Sequence, residues 1–290
     1  MATLKDISRR IRSVEKTQQI TSAMRMVAAA KLRRAQDAII AARPYAQAMY
    51  RTMAEIGRRQ RDAEHPLLTA HESSEVLEVV VVTSDRGLCG AFNASAIKRA
   101  EVAIAEARAD YSEVVVSVVG RKAGDYFRRR RTLEREWQSG VNADYAFAKT
   151  IADHLSTRYI EGTIDGCVLV YNEFVSALTQ TSKADAVLPL APDEAMAEAD
   201  ATSQAPPYEI EPDANSLLNV LVPNALEYTI YRALLENQAG EHAARMAAME
   251  SATRNTEELI RTLTLKYNRA RQAAITKELV EIVSGAEALK

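Results

Sequence analysis

Hydrophobic and small residues recur at an alternating spacing of three and four along the first part of the chain, which is the pattern of one face of a coiled-coil helix. Over residues 1–58 these positions are Leu4, Ile7, Ile11, Val14, Ala28, Leu32, Ala35, Ile39, Ala42, Ala46, Met49, Met53 and Ile56. Gln18, Thr21 and Arg25 occupy the same face between the two apolar stretches. Polar residues at such positions weaken an interface but fix its register. The pattern therefore predicts one long helix that pairs with a partner in a defined alignment.

The C-terminal part of the chain predicts that partner. Residues 223–285 contain no proline after Pro223, and Gly240 weakens the interior of the expected helix. At 1.5 Å per residue, an unbroken helix of this length spans roughly 90 Å. Its stripe of apolar and small residues reads Met246, Met249, Ala252, Thr256, Leu259, Leu263, Ala270 and Ala273. Because small residues dominate both stripes, we expect a close antiparallel coiled coil rather than two ordinary amphipathic helices on a globular core.

The middle of the chain has a different residue pattern, in which short runs rich in Val, Ile and Leu alternate with segments of helical periodicity. The predicted strands are residues 75–84, 113–120 and 163–172, and the predicted helices are residues 91–109, 121–131 and 142–160. A further strand, antiparallel at a sheet edge, is expected after Phe174. Nearly continuous apolar runs suit strands buried on both faces of a mostly parallel sheet. The predicted fold class is therefore α/β, with a long antiparallel two-helix coiled coil formed by the N- and C-terminal helices plus a central Rossmann-like α/β domain.

These elements divide the chain into three parts. Residues 1–60 form the N-terminal coiled-coil helix, residues 61–213 the α/β domain, here called the foot, and residues 214–290 the C-terminal coiled-coil helix. From Asp185 to Asp213 there are eight acidic residues, no basic residue and five prolines. We therefore expect an exposed, mobile acidic loop near residues 191–213.

Charge is unevenly distributed even though the formal net charge is −2. Residues 1–62 carry 14 Lys and Arg against 5 Asp and Glu, so the remaining residues sum to −11. A basic helix of this kind favours an acidic partner, which is nucleic acid, anionic lipid or an acidic protein surface. No hydrophobic run approaches the 18 residues of a membrane span, and the N-terminus lacks a signal peptide. Cys89 and Cys167 are distant in sequence, so we expect free thiols in a reducing cytosol.

The glycine-rich segment Ser84–Asn93 follows a predicted buried strand, where α/β folds bind phosphates. It lacks both the terminal Gly-Lys-Ser/Thr of a P-loop and the three glycines of a dinucleotide site. We therefore interpret Gly87 and Gly90 as relieving positive-φ strain and the polar side chains as capping the next helix. The histidines (His65, His71, His154 and His242) are scattered, and Cys89 has no base nearby in sequence. No catalytic, cofactor-binding or metal-binding residues are expected.

Two other functions are compatible with parts of this pattern. A nucleic-acid-binding protein would use the basic N-terminal helix, although this helix has no aromatic residue for base stacking before Tyr45. A nucleotide-dependent α/β enzyme with a coiled-coil arm would use segment Ser84–Asn93, although its glycine spacing does not match a phosphate loop.

Three separated segments closely resemble the gamma subunits of F-type ATP synthases. They are RRIRSVEKTQQITSAMRMVAAAKLRRAQ (Arg9–Gln36), SDRGLCGAFN (Ser84–Asn93) and NRARQAAITKELVEIVSGAEAL (Asn268–Leu289), and they occur in the family's order. The resemblance covers essentially the whole chain. The cysteine-bearing insert of chloroplast members is missing, so the chain looks bacterial.

The resemblance implies a non-catalytic central-stalk rotor subunit that couples rotation of the c-ring to conformational changes at the catalytic sites of the beta subunits. The expected partners are the alpha and beta subunits of the catalytic hexamer, the epsilon subunit and the c-ring. Nucleic-acid binding and insertion into the bilayer are not expected. The implied location is peripheral, at the cytoplasmic face of the bacterial inner membrane.

The resemblance also implies three working surfaces. The catch surface, which would contact a loop of one beta subunit, comprises Arg271, Gln272, Thr276 and Glu278. The bearing surface, which would sit in an apolar sleeve of the hexamer, comprises Ala274, Ile275, Leu279, Ile282, Val283, Ala286 and Leu289. The basic surface, which would face acidic segments of beta, comprises Arg9, Arg10, Arg12, Lys16, Met24, Arg25, Met26, Arg33 and Arg34.

Overall fold

A computed structural model describes residues 3–59, 65–138, 144–190, 211 and 213–288. The helices are α1 (Leu4–Arg59), α2 (Phe92–Ala107), α3 (Arg121–Phe127), α4 (Tyr145–Ile160) and α5 (Ala214–Ala288), with a 3-10 turn at Pro66–Leu68. The strands are β1 (Val76–Val82), β2 (Glu113–Val119), β3 (Leu133–Trp137), β4 (Gly166–Phe174) and β5 (Gln180–Leu188). Residues 191–210 and 212, which hold most of the predicted acidic loop, lie outside the described residues.

The strands form one sheet in the order β3-β2-β1-β4-β5. β1 pairs parallel with β2 and β4, and β3 pairs parallel with β2. β5 pairs antiparallel with β4 at the edge, as the sequence predicted. The parallel strands and their crossover helices confirm the predicted Rossmann-like arrangement.

Both faces of the sheet are covered because successive side chains of a strand point to opposite sides. Leu77, Val79 and Val81 of β1 pack in a cluster with α2 and α3. Val80 and Val82 belong to a second cluster, which contains buried residues of α1, α4 and α5. This burial on two faces explains why the sequence of β1 is a continuous apolar run instead of an alternating one.

Two local predictions in the foot were wrong. β3 was missed because Glu134, Arg135 and Glu136 make up most of it, and such charges are tolerated on an edge strand. The predicted helix 121–131 ends at Phe127. The following arginines form a turn, in which Arg128 pairs with Glu136 and Arg131 pairs with Glu101 (3.0 Å).

Residue contacts divide the chain into two compact units. The first, called the distal unit, comprises Met1–Ala29 and Arg245–Lys290, and the second, called the basal unit, comprises Ala30–Ala244. In the basal unit, the first part of α5 is a core helix. Its buried side chains include Leu218, Val222, Leu226, Ile230 and Leu234. Asp213 caps the start of this helix by accepting a hydrogen bond from the backbone N–H of Ser216 (2.8 Å), and Pro223 lies inside it.

In the distal unit, α1 and α5 run antiparallel, because partners on α5 fall in number as those on α1 rise. Gln18 Nε2 donates to Glu257 Oε1 (3.1 Å), the Thr21 and Thr253 hydroxyls lie 2.8 Å apart, and Arg25 Nη1 donates to Glu250 Oε2 (2.6 Å). These contacts are called the polar layer. They confirm that the three polar residues of the α1 stripe face the partner helix.

The stripe predicted on α5 was wrong at two positions, where the residue that faces α1 is the next one along the chain. Its buried and half-buried members in the distal unit include Met249, Thr253, Thr256, Ile260, Leu263, Tyr267, Ala270 and Ala274. Leu259 and Ala273, which the sequence placed on the stripe, are exposed. Polar Thr253 takes a stripe position because it meets Thr21, a contact that hydrophobicity alone does not reveal.

Arg158 fastens α4 to the sheet. Its Nη1 lies 3.1 Å from Oε2 of Glu78 on β1 and 2.8 Å from Oε1 of Glu134 on β3. Glu78 is fully buried and also accepts a hydrogen bond from the Ser117 hydroxyl. Burial raises the pKa of Glu78 against the opposing effects of Ser117 and Arg158. A buried carboxylate held in this way ties α4 to strands β1, β2 and β3.

Asp165 ties the segment before β1 to the start of β4. Its carboxylate accepts hydrogen bonds from the backbone N–H groups of Val76 (2.9 Å) and Glu75 (2.8 Å) and from the Ser73 hydroxyl (2.7 Å), and it lies 3.1 Å from His71 Nδ1. Burial by itself raises the pKa of Asp165, but these donors outweigh burial and lower the pKa to about 2. The ionised form is therefore favoured in the folded chain.

We predict that Asp165→Asn lowers the free energy of unfolding by about 2 kcal/mol at pH 7, because a depressed carboxyl pKa stabilises the fold wherever the group is ionised. The unfolded group has a pKa of about 3.9. The difference in free energy of unfolding between the original chain and Asp165→Asn should stay constant above pH about 5 and shrink as the pH falls toward 2. Urea unfolding of both full chains across this pH range measures this difference.

The matched control is Asp110→Asn, which changes an exposed carboxylate in a loop and should leave stability within about 0.5 kcal/mol of the original. A stability difference for Asp165→Asn that is undiminished at pH 3 would show that this carboxylate does not act through its ionisation.

Candidate partner-binding surfaces

The end of α5 presents an apolar surface to solvent. The exposed fractions are 50% for Ile275, 57% for Leu279, 57% for Val280, 68% for Ile282 and 58% for Val283. Ala274 is half-buried, whereas Leu289 and the side chain of Ala286 lie outside the described residues. Contiguous exposed apolar side chains of this size mark an interaction surface. Val280 belongs to this surface but was missed by the sequence reasoning, although it is apolar and lies in the same segment.

The four catch residues are all exposed and interleave with the bearing residues. At about 100° per residue, Arg271 and Glu278 share one side of the helix, and Gln272 and Thr276 share a side about 100–160° away. Ile275, Leu279 and Ile282 fall between these two pairs. The Thr276 hydroxyl donates to the backbone carbonyl of Gln272 (2.9 Å), which satisfies its hydrogen within the helix. The surface therefore combines apolar area with polar groups at its borders.

The basic surface divides into two kinds of residue. Arg9, Arg10, Arg12, Lys16, Met26, Arg33 and Arg34 are exposed, and Met24 is half-buried. Arg25 differs from them because it lies in the polar layer, where its hydrogen bond lowers the pKa of Glu250. Its charge is therefore balanced within the chain. The sequence reasoning had assigned Arg25 to the partner surface and had not identified Glu250.

A groove of about 500 Å³ lies over the polar layer. Its lining includes Gln18, Ser22, Arg25, Glu250, Arg254 and Glu257. Arg254 Nε donates to Glu250 Oε1 (3.1 Å), so Glu250 is shared by two guanidinium groups. The groove thus has charged groups of both signs, and Ala23 and Met26 add apolar area to its lining.

Segment Ser84–Asn93 is a tight structural turn. The Asn93 side-chain oxygen accepts hydrogen bonds from the backbone N–H (2.9 Å) and hydroxyl (3.1 Å) of Ser84. Gly90 has φ +58°, as predicted, but the other positive φ belongs to Leu88 (+64°) and not to Gly87. The predicted side-chain capping of α2 was wrong, because Ala91 is the N-cap residue and has no side-chain cap hydrogen bond. Asn93 reaches back to the end of β1 instead.

Helix α5 covers this edge of the sheet at Gly240. A Cβ atom placed on Gly240 would lie 2.9 Å from Cε2 of Phe92 and 3.3 Å from Cγ of Gln180. Because Phe92 is buried, its ring has little room to move. A glycine that weakens a helix interior therefore serves here as the point where α5 contacts the turn. The carboxyl edge of β1, where this fold class binds ligands, is occupied by the chain's own residues.

Within the described ranges, no group of three or more His, Cys, Asp or Glu side chains is placed to hold a metal ion. Cys89 and Cys167 are both buried and form no disulfide. Burial raises the pKa of Cys167, which disfavours the reactive thiolate. A search of the same ranges for a helix both long enough and apolar enough to span a bilayer gives none.

Comparison with known proteins identifies the family. A family model described as ATP synthase matches residues 3–289. The ATP synthase gamma chain of Anaeromyxobacter sp. (strain Fw109-5) is 49% identical over 296 residues, with 100% of both chains covered. That of Chlorobium phaeobacteroides (strain BS1) is 46% identical over 295 residues, with 100% of this chain and 99% of the relative covered. The chain belongs to the ATP synthase gamma family.

Solved structures of ATP synthase rotors contain chains with a similar fold. The central stalk and c-ring structure of the Tetrahymena thermophila mitochondrial ATP synthase contains a chain with 26% identity and a TM-score of 0.59, and the match covers 80% of this chain and 99% of that one. A chain of the Euglena gracilis mitochondrial ATP synthase rotor has 22% identity, a TM-score of 0.63, and coverage of 94% and 98%.

Membership of the gamma family confirms the predicted non-catalytic central-stalk role and the predicted fold class. Neither alternative, the nucleic-acid-binding protein or the nucleotide-dependent enzyme, is supported. The three working surfaces, which the sequence suggested by resemblance, remain predictions.

We predict that the isolated full chain shows no saturable heat when ATP, ADP or NAD is added in a calorimeter. The reason is that Asn93 satisfies the Ser84 N–H at the end of β1 and α5 packs against Phe92. Binding tighter than about 100 μM, or roughly 5.5 kcal/mol, would contradict the structural interpretation of this turn.

Proposed function

We propose that this chain is the rotating shaft that couples turning of a c-ring to conformational change at the catalytic sites of beta subunits. The observation that carries the proposal is the end of α5, where five large apolar side chains are each at least half exposed. In the proposed assembly, the alpha and beta subunits of the catalytic hexamer surround this end of the helix. The foot contacts the c-ring and the epsilon subunit.

The chemistry of the bearing surface suits rotation inside a sleeve. Hydrophobic contact is non-directional, so apolar side chains that slide past an apolar wall lose little free energy at any one angle. The catch surface has the opposite property. Hydrogen bonds that involve a charged partner contribute about 1.5–3 kcal/mol and depend on direction, so they favour particular angles. A shaft that carries both kinds of contact turns readily and still biases one beta subunit at a time.

The basic surface of α1 has a complementary role in this proposal. Its exposed arginines and lysine face acidic segments of the beta subunits, which gives the N-terminal helix the acidic partner that its charge favours. Each exposed ion pair is worth only about 0–1 kcal/mol, so no single residue should be essential. As a set, these residues provide electrostatic attraction as the shaft turns.

We further propose that the chain is a peripheral subunit at the cytoplasmic face of the bacterial inner membrane. The support is that the full-length relatives quoted above come from bacteria. In this proposal residues 1–60 and 214–290 act as the shaft and residues 61–213 as the foot.

We predict that a disulfide between Thr21→Cys and Thr253→Cys leaves rotation intact, because these residues lie on two helices that turn as one body. The two hydroxyl oxygens are 2.8 Å apart, so the substituted sulfurs can bond with little movement. ATP hydrolysis by the reconstituted complex should stay within about twofold of the reduced form, given that the link adds no contact to the partner subunits.

The control for this experiment is a cysteine pair that links the catch surface to a beta subunit, which should stop hydrolysis until the disulfide is reduced. If the link between α1 and α5 also stops hydrolysis, the two helices do not rotate together. Unchanged hydrolysis with both links would reject the shaft mechanism.

We predict that Arg271→Ala or Gln272→Leu lowers ATP synthesis and hydrolysis in membranes by about tenfold, since the loss of one charge-assisted hydrogen bond is worth about 1.5–3 kcal/mol. The alpha, beta and epsilon subunits should still assemble in normal amounts, because both side chains are exposed on α5.

Lys277→Ala is the matched control. Lys277 is exposed in the same segment, pairs with Glu281 (3.5 Å) and points away from the catch surface. Its replacement should leave turnover unchanged. Full activity of a variant with alanine at all four catch positions would reject the catch assignment, and loss of the assembled complex would assign these residues to stability.

A further inference from the structure

Glu227 is a buried carboxylate on the part of α5 that packs in the basal unit. It is 3% exposed and pairs with Lys149 of α4, whose ammonium group donates to Oε1. The Glu227 carboxylate also acts on the Tyr145 hydroxyl, one turn before Lys149 on α4, and adds to burial in raising the pKa of Tyr145. The Tyr145 ring stands edge-on to Tyr231, one turn after Glu227 on α5, with 5.5 Å between ring centroids. Lys149 and Tyr145 of α4 thus contact Glu227 and Tyr231 of α5.

The pKa values of Lys149 and Tyr145 are both raised in this cluster. The hydrogen bond to Glu227 raises the pKa of Lys149, and burial together with the Glu227 carboxylate raises the pKa of Tyr145. Lys149 therefore stays charged and Tyr145 keeps its hydroxyl proton near neutral pH. The Lys149 ammonium group donates to the Glu227 carboxylate, and the neutral Tyr145 hydroxyl is available as a second donor.

The other end of α4 is fixed to the sheet. Arg158 of α4 pairs with the fully buried Glu78 of β1 and with Glu134 of β3. Charged contacts therefore form a continuous path from the sheet to α4 through Arg158 and from α4 to α5 through Glu227. This path lies wholly within the basal unit.

Most of the surrounding contact between α5 and the foot is apolar. Leu226 and Ile230 belong to the same buried cluster as Ile151 and Leu155 of α4. Apolar contact holds a helix in place but is non-directional, so it favours one angle of the helix about its own axis less strongly than a charged contact does. Rotation that separates Glu227 from Lys149 leaves a buried carboxylate without its partner, which is strongly unfavourable.

We propose that Glu227, held by Tyr145 and Lys149, is the positioning residue that locks α5 to the foot against twist, so that turning the foot turns the shaft. The inference rests on the proposed function of the chain as a shaft. Glu227 is buried, whereas the Lys149 side chain is 51% exposed. Stability alone is a poor reason to keep this pair, because an ion pair with a buried member is often replaced by apolar residues of similar size without loss of stability. A directional contact at this position has a clear use in transmitting torque.

The test is a triple variant, Tyr145→Phe, Lys149→Met and Glu227→Leu, in the reconstituted membrane complex. These changes keep the volume and remove the directional contacts, so the unfolding midpoint of the chain should not fall. With the hexamer held on a surface and a probe attached to the c-ring, the variance of the probe angle in the stalled complex should rise at least twofold. ATP hydrolysis by the catalytic hexamer assembled with the variant chain should stay within twofold of the unmodified form.

The matched control is Arg99→Met with Glu106→Gln, which removes a 3.0 Å ion pair on α2 that is remote from α4. This control should leave the angular variance unchanged. An unchanged variance in a stable, assembled triple variant would overturn the proposal. A fall in unfolding midpoint together with the increase in variance would also overturn it, because the cluster would then act through stability. If the unmodified complex fails to rotate, the proposed function fails instead.

Discussion

The structure depends on the burial of the first part of α5 against one face of the sheet. A helix that is apolar on more than one side must be covered on more than one side, and α1, α4 and strands of the sheet provide that cover. The close approach at Gly240, where a side chain would meet Phe92, shows how little space remains around the helix. Helix α5 therefore has two roles. Its first part belongs to the core of the α/β domain, and its last part is one of the two helices of the coiled coil.

The polar layer fixes the register of the two helices in the distal unit. Two coiled-coil helices with many Ala and Thr residues in their facing stripes can shift along each other, because small side chains interlock weakly. The contacts from Gln18 to Glu257, from Thr21 to Thr253 and from Arg25 to Glu250 each satisfy groups that would lose hydrogen bonds in any shifted alignment. Polar pairs between the helices, two of the three part-buried, thus trade some stability for one defined register.

The same principle recurs in the basal unit, where Glu227 meets Lys149 and Tyr145 within a largely apolar interface. In both places, apolar contacts provide most of the attraction and a few charged contacts fix the angle and alignment. A rotor subunit needs both properties, because it must remain assembled under load and must turn as one body. The chain needs no catalytic group for this role, and segment Ser84–Asn93 is used as a turn whose polar groups bond to one another.

Local sequence patterns determined the long helices, the apolar strands and the stripe of α1, because each depends on the periodicity of residues within one segment. Periodicity failed where the deciding contact came from another segment. β3 was missed because its charged residues lie at a sheet edge, and Thr253 was left off the α5 stripe because it gains its position only from its contact with Thr21. The exposed apolar end of α5 could be listed from the sequence, but its exposure required the structure.

The sequence by itself determined that the chain would form two long helices and an α/β domain, and the three family segments indicated the rotor role. Tertiary structure alone decided which charges are balanced within the chain. Arg25 and Lys149 look like any other surface cations in the sequence, yet one lies in the polar layer and the other pairs with a buried carboxylate. The reason is that an ion pair between residues distant along the chain depends on how helices pack, and side-chain identity carries no information about that distance.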